Sequence, residues 1–492
     1  MTVRRPFGVE ITRPGALLQR LNSSTVVWYW LFNAVRLLSA VILLPLILHK
    51  LPTPELGMYY LLMSQVALVP LVDFGFGPTI GRFVSYAMGG AETIQAQGLA
   101  QPGKSNAPNY DLLWRLLQAS RVLYRYLTLV LLVVVGSVGT LAVELRVNET
   151  ASPNLTRLAW AATLLSTLFD IYAGFWGRFV QSMNQVRVAV RIGLASYLLR
   201  LVVTAALLVA NAGLLSIPLG ALVGTILGRW WARAKCFQLL AGHPRPERTD
   251  ARKTFAILWP NSWRTGVQMV AGYLTANGNT QICSALLGLR ATAEYGLSVQ
   301  LVGVAVGMAS VWTAVKWPLV GQYVARHDYP ALQRILRPRV WLHYLSFLFM
   351  AAVLVLSGPA VLKWVGGGKQ MLPPGWLGLM CFDAFLLLQF TVWGTLIFTQ
   401  NRLPYLWPTV ATSVLGLLLS VTLITATPLG VGALVLGPLV AGSLFNYWYW
   451  PPYAARSIGT TFSRFLFGHP RRQRSATDRP EAPEAQPKRI ED

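Results

Sequence analysis

Apolar stretches of roughly 20 residues recur from residue 25 to residue 452, each long enough to cross the hydrocarbon core of a bilayer. No other feature constrains the chain so strongly. In hydrocarbon every backbone N–H and C=O must be satisfied inside the protein, so runs of this length span as helices. Twelve windows qualify: 26–49, 57–86, 117–142, 156–181, 191–211, 214–240, 256–286, 294–325, 339–362, 375–400, 404–425 and 430–452. Only 12% of the 492 residues are charged, against about a quarter in water-soluble proteins. The expected fold class is therefore all-α and polytopic, with 12 transmembrane helices. The basic first 24 residues (Arg4, Arg5, Arg13, Arg20) precede a run too long for a signal-peptide core, so no cleaved leader is expected.

The loops alternate between two sets. The first holds the N-terminus, 87–116, 182–190, 229–255, 326–338, 401–403 and the tail after 455. The second holds 50–56, 143–157, 212–213, 287–293, 363–374 and 426–429. Six Lys and Arg fall in the second set and more than four times that number in the first. The positive-inside bias then places both termini in the cytoplasm. This distribution also explains the net charge of +24. Arg245, Arg248, Arg252, Lys253 and the tail residues Arg471, Arg472 and Arg474 are positioned to meet anionic headgroups. No aromatic interleaving or binding fold accompanies them, so no nucleic-acid partner is expected. The paired aromatics Trp230-Trp231 and Trp448-Tyr449-Trp450 sit where an interfacial belt is required. Cys236, Cys283 and Cys381 are far apart and read as packed, reduced thiols, with no metal site.

The chain repeats itself. Glu55-Leu56-Gly57 and Glu294-Tyr295-Gly296 open the second and eighth windows, 239 positions apart. In the same windows Pro78-Thr79-Ile80-Gly81 matches Pro318-Leu319-Val320-Gly321 at an offset of 240, and Trp176-Gly177 matches Trp393-Gly394 at 217. Six spans per unit is an even number, so the two repeats enter the membrane in the same sense, with the site expected at their interface. The domains expected are a cytoplasmic segment 1–25, an N-lobe 26–245, a C-lobe 246–455 and a basic, disordered tail 456–492. Such a body suits alternating access, and Pro70, Gly75, Gly77, Pro78, Pro318 and Pro438 are candidates for bends or for simple packing.

Span two opens with Glu55-x-Gly57 and closes with Val72-Asp73-Phe74-Gly75-Phe76-Gly77-Pro78-x-x-Gly81-Arg82-Phe83-Val84. This pattern resembles the polysaccharide transporters, including the Wzx-type flippases, of the multidrug/oligosaccharidyl-lipid/polysaccharide exporter superfamily. The resemblance implies a MATE-like, V-shaped pair of six-helix bundles in the bacterial inner membrane. It also implies outward flipping of a polyprenyl-pyrophosphate-linked saccharide, with glycan-assembly proteins as possible neighbours. Phe74-Gly75 stands where the family usually has Leu-Gly, a conservative change. Asp73-Phe74-Gly75 is not read as a kinase motif, because no Gly-rich loop or His-Arg-Asp loop accompanies it.

Ten of the charges inside the windows are read as intramembrane: Arg36, Arg82, Arg125, Arg178, Arg200, Arg264, Lys316, Asp73, Asp170 and Asp383. At about 2.5–3.5 kcal/mol each at a helix centre they would cost on the order of 30 kcal/mol if all faced lipid. Most must therefore snorkel, pair or line a wet cavity. Arg82, Arg178 and Lys316 lie near span ends, where snorkelling is the simpler account. Arg36 and Arg200 lie roughly 15 Å into their spans and, with Arg264 and Arg125, are candidates to line a central cavity. Cations in excess favour an anionic cargo, because guanidinium groups hold phosphate bidentately. Asp73 and Asp170 read as partners of arginines or as coupling sites. Asp383, with no cation in its own span, is the better candidate for coupling to H+ or Na+. No other cofactor is expected. The alternatives are an ion-coupled multidrug-type exporter on the same fold, which the charge sign disfavours, and a membrane glycan polymerase or transferase. The longest outer loop, Val143 to Arg157, carries Glu144 and Glu149 but no paired-acid motif, so no enzyme is expected.

Overall fold

The computed structural model describes residues 28, 31, 32, 35, 43–93, 107–245, 251–325, 328–365, 368–400 and 403–468. Among them ten helical segments are long and apolar enough to cross a membrane. One of these, Gly266–Ala314, reverses at Gly288 (φ 87°, ψ 178°) and so contains parts of two spans. The reversal is visible in its neighbours. Gln281 before the turn pairs with Gln65, whereas Gln300 after it accepts from Tyr60 at 2.7 Å. With that turn counted, the described residues hold spans two to twelve, and 43–50 forms the helical end of the first. The chain is a multi-pass membrane protein.

Span two is broken into α1 (Thr53–Val66), α2 (Val69–Asp73) and α3 (Phe76–Met88). Spans three to six are α4 (Tyr110–Glu144), α5 (Pro153–Ser182), α6 (Val186–Val209) and α7 (Ser216–Leu240). Span seven is α8 (Ala251–Tyr273), a π turn (Leu274–Gly278) and the start of α9 (Asn279–Ala314), whose remainder is span eight with α10 (Trp317–Ala325). Spans nine to twelve are α11 (Tyr329–Val365), α12 (Pro374–Thr399), α13 (Leu406–Ala426), and α14 (Ala433–Leu444) followed by α15 (Asn446–Ser457). At 35 and 37 residues, α4 and α11 outrun a hydrocarbon core of about 30 Å. Their surplus turns carry arginines on the face of the basic loops. Residues 456–468 are ordered where the sequence suggested an unstructured tail: α16 (Phe462–Phe467) buries Phe465, and its Leu466 carbonyl accepts from Trp341.

The offsets read from sequence recur in the geometry. Short 3-10 turns at Gly213–Leu215 and Gly430–Gly432 precede spans six and twelve, 217 positions apart, and both open on a left-handed glycine. Helices α6 and α13 end at Val209 and Ala426, and α7 and α15 at Leu240 and Ser457, again 217 apart. Spans two and eight are both interrupted, at Phe74-Gly75 and at Val315-Lys316.

The repeats meet along α1 and α9, where the matched glycines are points of close approach. A Cβ at Gly57 would collide with the Leu289 carbonyl, and one at Gly296 with the Tyr60 ring. The face opposite the basic loops is joined by side chains that bond backbone groups, two of them, Glu149 and Arg146, reaching across the halves. Glu149 accepts from the Leu289 amide at 2.8 Å, and Arg146 bonds both Glu149 (2.7 Å) and the Ala285 carbonyl. Glu55 accepts from the Ala151 amide at 2.8 Å. Glu149 thus clasps the Gly288 turn. Within spans, hydroxyls such as Thr163, Thr167, Ser196 and Ser310 donate to carbonyls four residues back, the partner that hydrocarbon leaves them.

Gly57→Ala forces backbone apart at this contact, with an expected cost of about 1–3 kcal/mol. Gly303→Ala, at a position with no neighbouring atom within 4 Å, provides the comparison. Thermal unfolding of both variants in detergent should show a lower midpoint for the first alone; equal midpoints would remove Gly57 from the interface.

Candidate functional site

The end of span two builds one wall of a cavity. After Asp73 the chain turns left-handed at Phe74 (φ 45°) and Gly75 (φ 77°), which ends α2 and starts α3. The Asp73 carboxylate spans the break. Its Oδ2 accepts from the Gly77 amide at 3.2 Å and its Oδ1 from the Tyr124 hydroxyl at 2.6 Å. Arg178 of α5 lies 3.5 Å from the same carboxylate, in space that a side chain at Gly77 would fill. Asp73 is nearly buried, at 6% side-chain exposure, while Arg178 is 43% exposed and presents its guanidinium to the cavity. The ring of Phe74 stacks on Trp259 of α8 at 5.9 Å, so the same motif fastens span seven.

Two turns earlier on α5, on the same face, Asp170 receives Arg229 of α7. Both Nε (3.1 Å) and a terminal nitrogen (2.6 Å) bond Oδ1. Gly174 and Gly177 lie against this guanidinium. Arg200 projects from α6, whose backbone is pressed onto α7 at Gly220 and Gly224; a Cβ at either glycine would meet Arg200 itself. Small residues at four-residue spacing allow that approach. Half-buried Arg200 has no carboxylate within ion-pair distance among the described residues. Asp73, Asp170, Arg178, Tyr197, Arg200 and Arg229 together line a cavity of about 720 Å³. Each acid is matched by an arginine, and Arg200 is the surplus.

Of the cations expected at a cavity, Arg200 lines one. Arg36 lies outside the described residues, and of Arg264 only the backbone is described, on α8. Arg125 is exposed on α4 and does not line the cavity. One residue is about 100° of helix rotation, so the neighbour of inward-facing Tyr124 points away. Asp73 and Asp170 are ion-paired. Asp383 lies on α12, where its carboxylate accepts from the Tyr447 hydroxyl at 2.8 Å. Sequence reasoning passed over Arg178, assigned to snorkelling, and Arg229, assigned to a loop. The available signal was their spacing: Asp170, Gly174, Gly177 and Arg178 share one helical face.

The second repeat supplies no equivalent charges. At an offset of 217, Asp170, Arg178, Arg200 and Arg229 correspond to Leu387, Thr395, Leu417 and Asn446. At 240, Asp73 corresponds to Thr313, whose hydroxyl lies 3.2 Å from His343 Nδ1. Leu387, Leu417 and Asn446 line a C-lobe pocket of only about 30 Å³.

Known structures share this architecture. The chain is similar to an inward-facing multidrug resistance MATE family transporter of the MOP superfamily, at 12% identity and TM-score 0.62 over 85% of this chain and 94% of that one. An outward-facing MATE transporter matches at 12% identity and TM-score 0.53, over 89% and 97%. A MOP superfamily transporter from Pyrococcus furiosus, described as having a binding pocket of reversed polarity that suggests a different function, matches at 12% and 0.52, over 92% and 95%. No curated protein matches the chain. Two helical repeats in this order give the chain the fold of these MOP superfamily transporters. The family described as "Polysaccharide biosynthesis protein" matches residues 24–324, and the chain belongs to it.

Asp73 and Arg178 should be energetically coupled. In a double-mutant cycle with Asp73→Asn and Arg178→Gln, the double variant is expected to be more stable than the sum of the singles by about 0.5 kcal/mol or more. Additive melting shifts would mean that the pair does not bind.

Proposed function

We propose that this protein flips a polyprenyl-pyrophosphate-linked saccharide across a bacterial inner membrane, with both termini in the cytoplasm. The family and the transporter fold support the class of cargo. The observation that carries the reading is Arg200, which among the described residues has no carboxylate partner, in a cavity whose repeat-related counterpart is lined by uncharged residues. A guanidinium that no carboxylate neutralises leaves a net positive charge on a wet cavity, which favours an anionic occupant. Pyrophosphate offers paired oxygens that fit the guanidinium fork. At about 30 Å³ per water molecule, the cavity holds roughly two dozen waters. That is room for a headgroup, so the polyprenyl chain stays in lipid while the headgroup crosses. Arg178 and Arg229 widen the anion site by exchanging their aspartates for cargo phosphate. Asp383 in the other lobe is our candidate for coupling to H+ or Na+, because no cation pairs with it among the described residues.

The test is complementation of a strain lacking its own glycan flippase, with membrane levels of each variant matched. Arg200→Ala is expected to lower export by about tenfold or more, equivalent to loss of one charge-assisted contact of 1.4 kcal/mol. Arg200→Lys should recover part of it. Full export by a variant with Arg178, Arg200 and Arg229 all replaced by alanine would overturn the reading. Resistance to cationic drugs on overexpression, without glycan export, would replace it with the exporter alternative.

A further inference from the structure

A second group of arginines stands apart from the cavity, where spans three, four and six end on the basic face. Three guanidiniums surround one ring: the Cζ atoms of Arg121, Arg233 and Arg245 lie 5.1, 5.7 and 5.9 Å from the centroid of Phe237. Arg121 also covers Trp176 at 5.0 Å, and Arg245 covers Trp114 at 4.8 Å. Arg121 feels the like charges of Arg233, Arg245 and Arg125. Among the described residues none of the four pairs with a carboxylate; the nearby acid Asp111 is engaged by Arg115 at 2.8 Å. Beside them Trp114, Phe237, Leu240, His243 and Arg245 line an open cavity of about 460 Å³. Its rim is fixed by Tyr110 stacked on His243, which ties the start of α4 to the end of span six.

Three cations held against aromatic faces, with Arg125 beside them, repel one another, and the aromatic quadrupoles return only about 0.5–1 kcal/mol each at exposed sites. The arrangement is complete only with an anion among them. Its position says which kind. On α4, exposed Val122, Tyr126, Leu129 and Val133 form the lipid-facing stripe that Arg125 continues. On α7, Arg233 follows exposed Trp230 by three residues, on the same face. The cluster therefore lies at the headgroup level of the leaflet on the basic face. We propose that Arg121, Arg233 and Arg245, with Arg125 at the rim, bind the phosphate of an anionic phospholipid at the ends of spans three, four and six. The site is separate from the cargo cavity and would tether the N-lobe to the leaflet.

Native mass spectrometry of the full-length protein in neutral detergent tests this, using phosphatidylglycerol, phosphatidylcholine and inorganic phosphate as probes. The wild type is expected to retain one phosphatidylglycerol at collision energies that strip phosphatidylcholine. R121Q/R233Q/R245Q should lower that retention by about tenfold or more. R187Q/R334Q/R456Q, which removes the same charge from exposed positions elsewhere on the basic face, should not. R233Q/R245Q changes only exposed side chains and serves if loss of half-buried Arg121 impairs folding; it should show the same direction. Equal loss in the two triple variants, or no loss in either cluster variant, overturns the site. Displacement of phosphatidylglycerol by inorganic phosphate at equal concentration would overturn the lipid and leave a soluble phosphate as the occupant.

Discussion

A charge or an unpaired backbone group in hydrocarbon has no water to fall back on, and the architecture follows from where such groups find partners. Breaking span two at Phe74-Gly75 exposes helix ends in mid-membrane. Asp73 repairs the break by accepting from the Gly77 amide, and Tyr124 and Arg178 then satisfy Asp73. The acid buried to mend a helix thus fixes a guanidinium at the cavity wall. Asp170 and Arg229 repeat the arrangement two turns along α5. Removing either acid would leave its arginine unmatched, which costs more than the pair is worth when intact. Of the arginines described at this cavity, Arg200 is not balanced in this way.

Much of this plan was legible before any coordinates. The twelve windows, the parallel repeats and the separation of basic from neutral loops all derive from hydropathy and offset. Those signals depend on composition along the chain, which the bilayer dictates directly. The lesions in the windows were less visible. Hydropathy does not distinguish a continuous span two from α1, α2 and α3, because the break costs no apolar residue. Nor does it reveal that the expected loop 287–293 shrinks to a turn at Gly288, because Glu149 reaches across from another loop to hold it.

The cavity was harder to read for a geometrical reason. Depth along a span is available from sequence, but azimuth is not. Counting depth selected Arg200, which lines the cavity, and it also admitted Arg125, which points outward. Arg229 was missed because the basic loop was begun at 229, inside the window 214–240 that α7 follows to its end at Leu240. The glycines were the missing guide. Gly77, Gly174 and Gly177 leave room for Arg178 and Arg229, so small residues near an intramembrane arginine mark where its head is housed.

The repeat makes one further point about mechanism. Duplication produces two similar lobes, yet all five charged positions around the N-lobe cavity are neutral in the C-lobe, at Thr313, Leu387, Thr395, Leu417 and Asn446. On the proposed function, an anionic headgroup bound among Arg178, Arg200 and Arg229 is therefore held by the N-lobe. In the proposed flipping, such a headgroup would travel with the N-lobe. The contacts that must break for the opposite face to open are those between halves: Glu149 with Leu289, Arg146 with Ala285, and the packing of Gly57 on Leu289. None of them involves a residue of the cavity. Span two thus joins the two regions: its Gly57 end packs on Leu289 of the other repeat, and its Asp73 end holds the cavity arginine.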